Sequence, residues 1–439
     1  MAAGDSVSFV INDLILITKT ASVDLRDMME ELNIYDNMFL PSMSGNIVIK
    51  DALGLAKRLK FDGTEYLKID IGKDADNLKI EKTFRVYKLS GKQEDNSSSV
   101  SYILHFCSEE FLYSEQKKIN QVYEDTYSNI ARSILLDYIE VPSSKYMDGF
   151  HDESYGIKKV NIPNLKPFAA IDWCMKRALD IYDAPSFVFF ENRSGYNMCS
   201  LYSLIEQESM GTITFGMKNS GGSDVLSEMF GCRQSKVLSN FDAAEAVKSG
   251  LMAGTFKGFD PVTRTYYNKE MNFAEIYQGR PHLNKYPFII LNKNRDGNLQ
   301  TQEFDTKQTL SPMQSNQALS SYAKSKDPYA QQDDMENYAM QRKAIFANLM
   351  SRRIQLVMPG NALWTSGAVV DVEYPRRSVR SESDDSNMDE KLSGRYLIIG
   401  VRHKFSFKMH ETIIEVATDS TNEQNSYEES PEQEMVVDE

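Results

Sequence analysis

The sequence predicts an α+β fold that is mainly β, with two β-rich regions on either side of an α+β region. Three features carry the prediction. Runs rich in apolar and β-branched residues, several alternating with polar ones, fill 7–17, 44–49, 66–71, 82–90 and 100–107. Helical spacing takes over across 123–138 and 167–182. Strand-like runs then return from 232 and dominate 354–418. A chain of 439 residues is also longer than one hydrophobic core usually serves, which predicts about two to four domains.

Taken in order, residues 7–17 are rich in β-branched side chains and read as a strand. Leu25, Met28, Met29 and Leu32 fall on one side of a short amphipathic helix over 24–32, which 37–41 breaks. Residues 44–49 return to strand, and 66–71 alternates so that Leu67, Ile69 and Ile71 share a face. The runs 82–90 and 100–107 flank a polar stretch and predict a β-hairpin. Residues 1–111 thus form a first β-domain. The region 112–230 is α+β. Its helices run over 123–138, with Ile130, Ile134 and Leu135 in phase, and over 167–182, where Pro167 suits the first turn. Runs at 187–190, 197–204 and 212–215 read as the strands of a small sheet.

A second β-domain begins with 231–278, which holds a strand over 232–241, a helical link over 242–249 and one extended run over 253–267 bent at Asp260-Pro261. Residues 279–335 are polar, carry Pro281, Pro287, Pro312 and Pro328, and read as an excursion from that domain. It resumes over 336–421 with a helix over 338–353, a strand over 354–358 and a turn at Pro359-Gly360. A strand over 367–374, a charged hairpin tip at 376–389, and two strands, 393–404 and 412–418, complete it. Residues 422–439 hold many carboxylates and almost no apolar side chains, the composition of a disordered tail. No internal sequence repeat is visible.

Composition narrows the function. A net charge of −14 argues against a nucleic-acid-binding surface as the main activity, because such a surface needs a basic excess. Cys107, Cys174, Cys199 and Cys232 are widely spaced and read as buried free thiols rather than a zinc site or a disulfide framework. No apolar run approaches the roughly 20 residues needed to span a bilayer, and 9–17 lacks the basic lead of a signal peptide. Synthesis in a reducing cytoplasm and no membrane insertion are expected.

The motifs for chemistry are sparse. Residues 292–303 match the calcium-loop pattern through Asn292, Asn294, Asp296, Gly297 and Glu303. Position 1 is Asn292 where the pattern wants aspartate, and 286–291 reads as a strand instead of an entering helix. A polar turn accounts for the same letters, so no metal is assigned. Glu109 with Glu110 and Asp152 with Glu153 are adjacent carboxylates of the kind any solvated surface carries. The five histidines form no metal spacing, and His403, between Arg402 and Lys404, reads as part of a polar strand face. No nucleophile elbow, phosphate loop or dinucleotide fingerprint is present, so no catalytic or cofactor-binding residue is assigned. The basic cluster Arg342, Lys343, Arg352 and Arg353 fits either an acidic partner or the solvent side of a helix.

The wording of the C-terminal framework carries more. Glu336-Asn337-Tyr338, Gln341-Arg342-Lys343, Leu356-Val357-Met358-Pro359-Gly360, the run 367–373, then Ser393-Gly394-Arg395-Tyr396-Leu397 and Arg402-His403-Lys404 resemble the second tube domain of baseplate hub proteins of contractile-tailed bacteriophages. Asp36-Asn37-Met38-Phe39, the run 45–53 and Glu65-Tyr66-Leu67-Lys68-Ile69-Asp70 are similar to the first tube domain. Ser249-Gly250-Leu251 with Phe259-Asp260-Pro261 resembles the matching strand of the second.

The resemblance implies two tube-type β-barrel-like domains with the α+β domain between them, assembled as a ring-shaped homotrimer. Three subunits would present six tube domains to a hexameric tail tube on one side and meet a trimeric central spike on the other. Other baseplate proteins would surround the ring, phage DNA would pass through it, and an acidic wall would let DNA slide. The expected localisation is the virion tail baseplate, after synthesis in the host bacterial cytoplasm. Type VI secretion spike proteins share this architecture with a fused needle; here the sequence ends soon after the second tube domain, so a separate spike protein is expected. Arg342, Lys343, Arg352, Arg353, Arg395, Arg402 and His403 are the candidate assembly contacts. The alternatives are the hub of a tail-derived bacteriocin or injection machine and, from different classes, a tail-associated cell-wall hydrolase or a receptor-binding module.

Overall fold

A computed structural model describes residues 9–423 except 60, 74–77, 97–98, 216–229, 241–245, 247–250, 252, 261–264, 273–276, 289–290, 294–298, 302–307, 311–319, 323–334, 377–387 and 407–408. The predicted acidic tail and the interior of the charged hairpin tip lie largely outside these residues.

In chain order the strands are β1 (Val10–Ile17), β2 (Ser22–Asp24), β3 (Met29–Asn37), β4 (Ser44–Asp51), β5 (Tyr66–Lys73), β6 (Leu78–Asn96) and β7 (Ser99–Cys107). The middle holds β8 (Val122–Asp125), β9 (Lys158–Asn161), β10 (Phe187–Glu191), β11 (Tyr196–Ser200) and β12 (Ser209–Phe215). Next come β13 (Gly231–Cys232), β14 (Gln234–Asn240), β15 (Ala253–Asp260), β16 (Thr265–Asn272), β17 (Tyr286–Pro287), β18 (Leu291–Lys293), β19 (Leu299–Thr301), β20 (Gln308–Leu310) and β21 (Ser320–Tyr322). The chain closes with β22 (Arg352–Pro359), β23 (Val369–Glu373), β24 (Gly394–Ser406), β25 (Met409–Thr418) and β26 (Ser420–Thr421).

One large sheet joins the two ends of the chain. Its backbone is an antiparallel run in the order β14-β22-β25-β24-β3-β4-β7-β6, with β5, β1 and β2 continuing beyond β6 and β23, β12 and β13 beside β24. Alternation decides which way each strand faces. β4 buries Gly45, Ile47 and Ile49 and β22 buries Ile354, Leu356 and Met358, while their intervening residues stay half-exposed or exposed. One core under β1 to β7 is built on Leu14, Leu67, Ile69, Phe84, Leu104 and Phe106, and receives Phe405 from β24. Another, under β22 to β25, is built on Ile354, Leu356, Trp364, Val372 and Ile414. Gly45 is required in the first: a Cβ there would sit 2.3 Å from both the Asn33 carbonyl oxygen and the Phe106 ring.

The run repeats one topology. β6 forms a hairpin with β7 as β24 does with β25, β4 pairs β7 as β22 pairs β25, and β3 pairs β4 as β14 pairs β22. The correspondence extends to a shared irregularity. β6 meets both β5 and β7 at Arg85 and then bulges between Val86 and Lys88; β24 meets both β23 and β25 at Leu397 and then bulges between Ile398 and Gly400.

The middle unit packs Ile130, Ile134, Ile171, Phe189 and Tyr196 around its helices and the β10-β11 hairpin. The helix Pro167–Met175 starts on its proline, as predicted, but stops before 182. Over 123–138 the start is strand β8, and the helix begins at Tyr127 and widens into a π-turn from Ile134.

Four sequence readings are corrected. Residues 24–32 are not a helix: a single turn, Arg26–Met28, leads into β3, which buries Leu32, Ile34 and Asp36 at every second position and is paired on both edges. Those non-local bonds override the local helical spacing. The run 197–204 changes at Ser200 into the helix Leu201–Glu206, capped by the Ser200 hydroxyl, and β12 joins the large sheet instead of β10 and β11. The run 253–267 is part of a hairpin, with β15 paired antiparallel to β16. The C-terminal helix spans Met335–Leu349, so Arg352 and Arg353 open strand β22. The predicted pairing of 393–404 with 412–418 is observed as β24 with β25.

Candidate assembly surface

The eight-strand run presents one face to the cores under β1 to β7 and β22 to β25; its other face packs Leu397, Ile399 and Ala417 against Leu204, Ile345 and Leu349 at one end and is polar around Arg402 and Lys404. On β24, Arg402 and Lys404 point to the polar face while His403 and Phe405 are buried. The Glu31 carboxylate lies 3.5 Å from Arg402 and 3.4 Å from Lys404, and accepts from the Asn33 amide at 2.8 Å. Asn33 in turn donates to Asn46 at 3.0 Å and accepts from Arg402 at 2.9 Å. Two further pairs, Arg353 with Glu415 at 3.2 Å and Arg233 with Glu411 at 3.9 Å, extend the ladder. Burial pushes the Glu31 carboxyl up, but Asn33, Lys404 and Arg402 outweigh it and hold it below its ordinary range. These half-exposed pairs contribute roughly 0–1 kcal/mol each. Among the described residues this stretch mixes both signs.

The predicted contacts divide between interior and surface. Arg342 lies on the Met335–Leu349 helix, donates to the carbonyls of Pro185 at 2.9 Å and Phe187 at 2.8 Å, and stacks on Phe346. Burial pushes its pKa down to about 10. It ties the helix to the middle unit. Lys343, its neighbour, is exposed. Arg352 is buried, donates to Asn240 at 2.8 Å and to the Lys391 carbonyl, and covers the Phe288 ring. Arg395 donates to the Gln207 carbonyl at 2.6 Å, just past the end of the Leu201–Glu206 helix. His403 corrects the reading of a polar-face residue. It is buried beside His410 and Thr412, and burial pushes its pKa down to about 4, so it is neutral at pH 7. Arg353 and Arg402 remain on the polar face.

A buried polar junction, absent from the sequence reading, joins the three parts of the chain. Glu191, at the end of β10, is fully buried; it lies 3.5 Å from the Lys82 ammonium of β6 and accepts from the Met43 N–H at 2.9 Å. Lys82 also donates to the Asn192 carbonyl at 2.9 Å, and the Asn192 amide donates to the Ser366 carbonyl at 3.1 Å. Asp36 on β3 accepts from the Ser366 N–H and the Thr365 hydroxyl, both at 3.1 Å. Burial pushes the Asp36 carboxyl up to about 7 against those bonds. Charged residues at buried strand positions were the signal that could have found this junction: Asp36 is in phase with Leu32 and Ile34, and Glu191 ends the apolar run Phe187-Val188-Phe189-Phe190.

The carboxylate pairs have separate partners. Glu109 accepts from the Tyr66 and Tyr113 hydroxyls, Glu110 pairs with Lys145 at 2.5 Å, and Asp152 accepts from the Ser200 N–H at 2.8 Å. In the calcium-loop match, Asn292 lies in β18, paired with β19, while Asn294, Asp296 and Glu303 lie outside the described residues. Among the described residues no three His, Cys, Asp or Glu side chains are grouped to hold a metal ion. All four cysteines are free and buried, and no described helix is long and apolar enough to cross a membrane.

This arrangement, a large sheet with an α+β unit set against it, is shared with solved structures of tail proteins. No family model and no curated protein matches the chain. Two solved structures share the fold. The tail protein from Neisseria meningitidis MC58 superposes with a TM-score of 0.51 at 10% identity, covering 94% of this chain and 97% of that one. The 43 kDa tail protein of prophage MuSo2 from Shewanella oneidensis does so with a TM-score of 0.53 at 10% identity, covering 93% and 99%.

Proposed function

We propose that this chain is the structural baseplate hub of a contractile phage tail. A homotrimeric ring of it adapts the hexameric tail tube to the trimeric central spike and forms part of the DNA channel. The observation that carries the reading is the repeated topology of the large sheet: one chain supplies two equivalent four-strand units, so three chains supply six. Such a chain can match six-fold symmetry on one face and three-fold symmetry on the other. The sequence resemblance to hub proteins and the shared fold of tail proteins support it. The ion-paired stretch around Glu31, Arg402 and Lys404 is the candidate channel wall, because it lies on the side of the run opposite the cores under β1 to β7 and β22 to β25. A channel wall needs shape and polarity, and no catalytic group is assigned.

The test is mass and symmetry in solution. Light scattering should give three times 50.0 kDa, and negative-stain images should show a three-fold ring with a central opening. A chain that remains a monomer at high concentration, and forms no ring with its cognate spike, overturns the proposal.

A further inference from the structure

The segment 277–287, between β16 and the end of β17, lies across the ends of β24 and β25 as a strap. At its far end β17 pairs with β26, Tyr286 opposite Thr421 and Pro287 opposite Ser420. Asn284 fastens it there. Its side-chain nitrogen donates to the Arg395 carbonyl at 3.1 Å and the Thr418 hydroxyl at 2.9 Å, and its side-chain oxygen accepts from the Arg395 N–H at 2.9 Å. Its backbone N–H donates to the Ser420 hydroxyl at 2.7 Å. None of these groups titrates near neutral pH. The earlier half of the strap hangs on His282 instead. Its Nδ1 lies 2.6 Å from the Asp419 carboxylate, its Nε2 lies 2.8 Å from the Tyr277 carbonyl oxygen, and the Tyr277 ring stacks on the imidazole at 3.6 Å. Asp419 also accepts from the Leu283 N–H at 3.1 Å and the Ser420 hydroxyl at 2.8 Å.

A carbonyl oxygen and an ionised carboxylate only accept, so both ring nitrogens of His282 must donate, which only the imidazolium does. We propose that His282 is a proton-operated clasp. While charged it holds 277–283 against Asp419; on losing its proton it lets that half of the strap swing away, while Asn284 keeps 284–287 in place. A neutral imidazole has one N–H, so either the Tyr277 carbonyl or the Asp419 carboxylate is then left facing a lone pair. The His282 and Asp419 side chains are 13% and 6% exposed, so little water reaches the contact to replace the lost donor. Few charged or titratable groups surround the ring. Asp419 faces it from the link between β25 and β26, and Tyr277 from the strap itself. Tyr202 of the Leu201–Glu206 helix lines the same small cavity, and Arg280 of the strap is directed at the Tyr202 hydroxyl at 3.5 Å. Among the described residues the Met335–Leu349 helix brings Ile345 and Asn348, both uncharged, and the Asn348 amide donates to the Asp419 carbonyl at 3.0 Å. Asp419 is thus the counter-charge that ties the clasp to the proton. The hold is present in mildly acidic solution and lost as pH rises through the histidine range.

The test is amide hydrogen exchange of the full chain, read by mass spectrometry at about pH 6 and about pH 9 and corrected for the intrinsic rate at each pH. Peptides covering Leu283 should lose about tenfold or more of their protection at the higher pH, the effect of losing one charge-assisted hydrogen bond. Peptides from β25, a few residues from the clasp, should keep theirs. His282→Gln, which carries no charge, should be as loose at about pH 6 as the parent is at about pH 9, with no further change between the two. If His282→Gln fails to fold, Asp419→Asn removes the counter-charge and should likewise abolish the pH dependence. Equal protection of the strap at both pH values overturns the proposal. So does a loss shared equally by β25, which marks global opening, or a pH dependence that survives in the variant. The outcome does not depend on whether copies form a ring.

Discussion

Replacing Lys82 with methionine tests whether the buried junction holds the middle unit against the first half-sheet. Glu191 is fully buried and the Lys82 side chain is 11% exposed, so neither charge is well solvated. At 3.5 Å and an effective dielectric constant of about 20, their attraction is about 5 kcal/mol before desolvation is subtracted. Removing one partner of a buried pair typically costs about 3–5 kcal/mol, because the other charge is left uncompensated. Lys82→Met should cost that much, including the loss of the Asn192 carbonyl's donor. The double variant Lys82→Met/Glu191→Gln should recover about 2 kcal/mol. Its side-chain carbonyl still accepts from Met43 and no charge remains buried, although the Asn192 carbonyl still lacks its donor, at about 1–3 kcal/mol. Urea denaturation, read as a midpoint shift at constant slope, measures each quantity. A cost below about 1 kcal/mol, or a double variant less stable than the single, would refute the reasoning.

Three further predictions follow the same physics. Asp36 has a folded-state pKa of about 7 against an ordinary 3.8, so its contribution to stability falls as pH rises from about 4 to about 7 and is constant above that. Asp36→Asn should flatten this dependence and, by pH 7.5, gain up to about 4 kcal/mol over the parent in urea midpoints, the full linkage value; an unchanged pH profile counts against it. Arg352→Glu buries a reversed charge and should cost more than about 3 kcal/mol, while Arg353→Glu, on the half-exposed face, should cost about 1 kcal/mol or less. Arg353 is thus the fit position for testing assembly, and equal losses of melting temperature in the two variants would contradict the burial difference. Gly45→Ala should cost at least about 2 kcal/mol by overpacking against the Asn33 carbonyl and Phe106, and a melting temperature within a degree of the parent would refute that close approach.

Much of the framework was legible in the sequence because its signal is local. Leu67, Ile69 and Ile71 alternate with polar residues, and the structure buries all three in β5. The β24-β25 hairpin, the Pro167 helix start and the buried free thiols could be read the same way. Misreadings came where non-local contacts decided the outcome. Leu25, Met28, Met29 and Leu32 satisfy a helix as well as a strand entry, and only the pairing of β3 with β4 and β24 selects the strand. His403 looked polar because its neighbours are charged, yet the two-residue period turns it inward.

The sequence by itself determined the mainly-β character, the α+β middle and the absence of a recognisable catalytic motif, since these depend on periodicity and residue type along the chain. It could not show the repeat. Equivalent positions carry unlike residues, Gly45 against Ile354 and Ser90 against Arg402, and the link from β3 to β4 is 38–43 where that from β14 to β22 is 241–351. Strand pairing is fixed by backbone hydrogen bonds, which tolerate almost any side chain that respects the inward and outward faces. Tertiary structure alone therefore decided that two distant parts of the chain form matching half-sheets and that a buried ion pair joins the first of them to the middle unit.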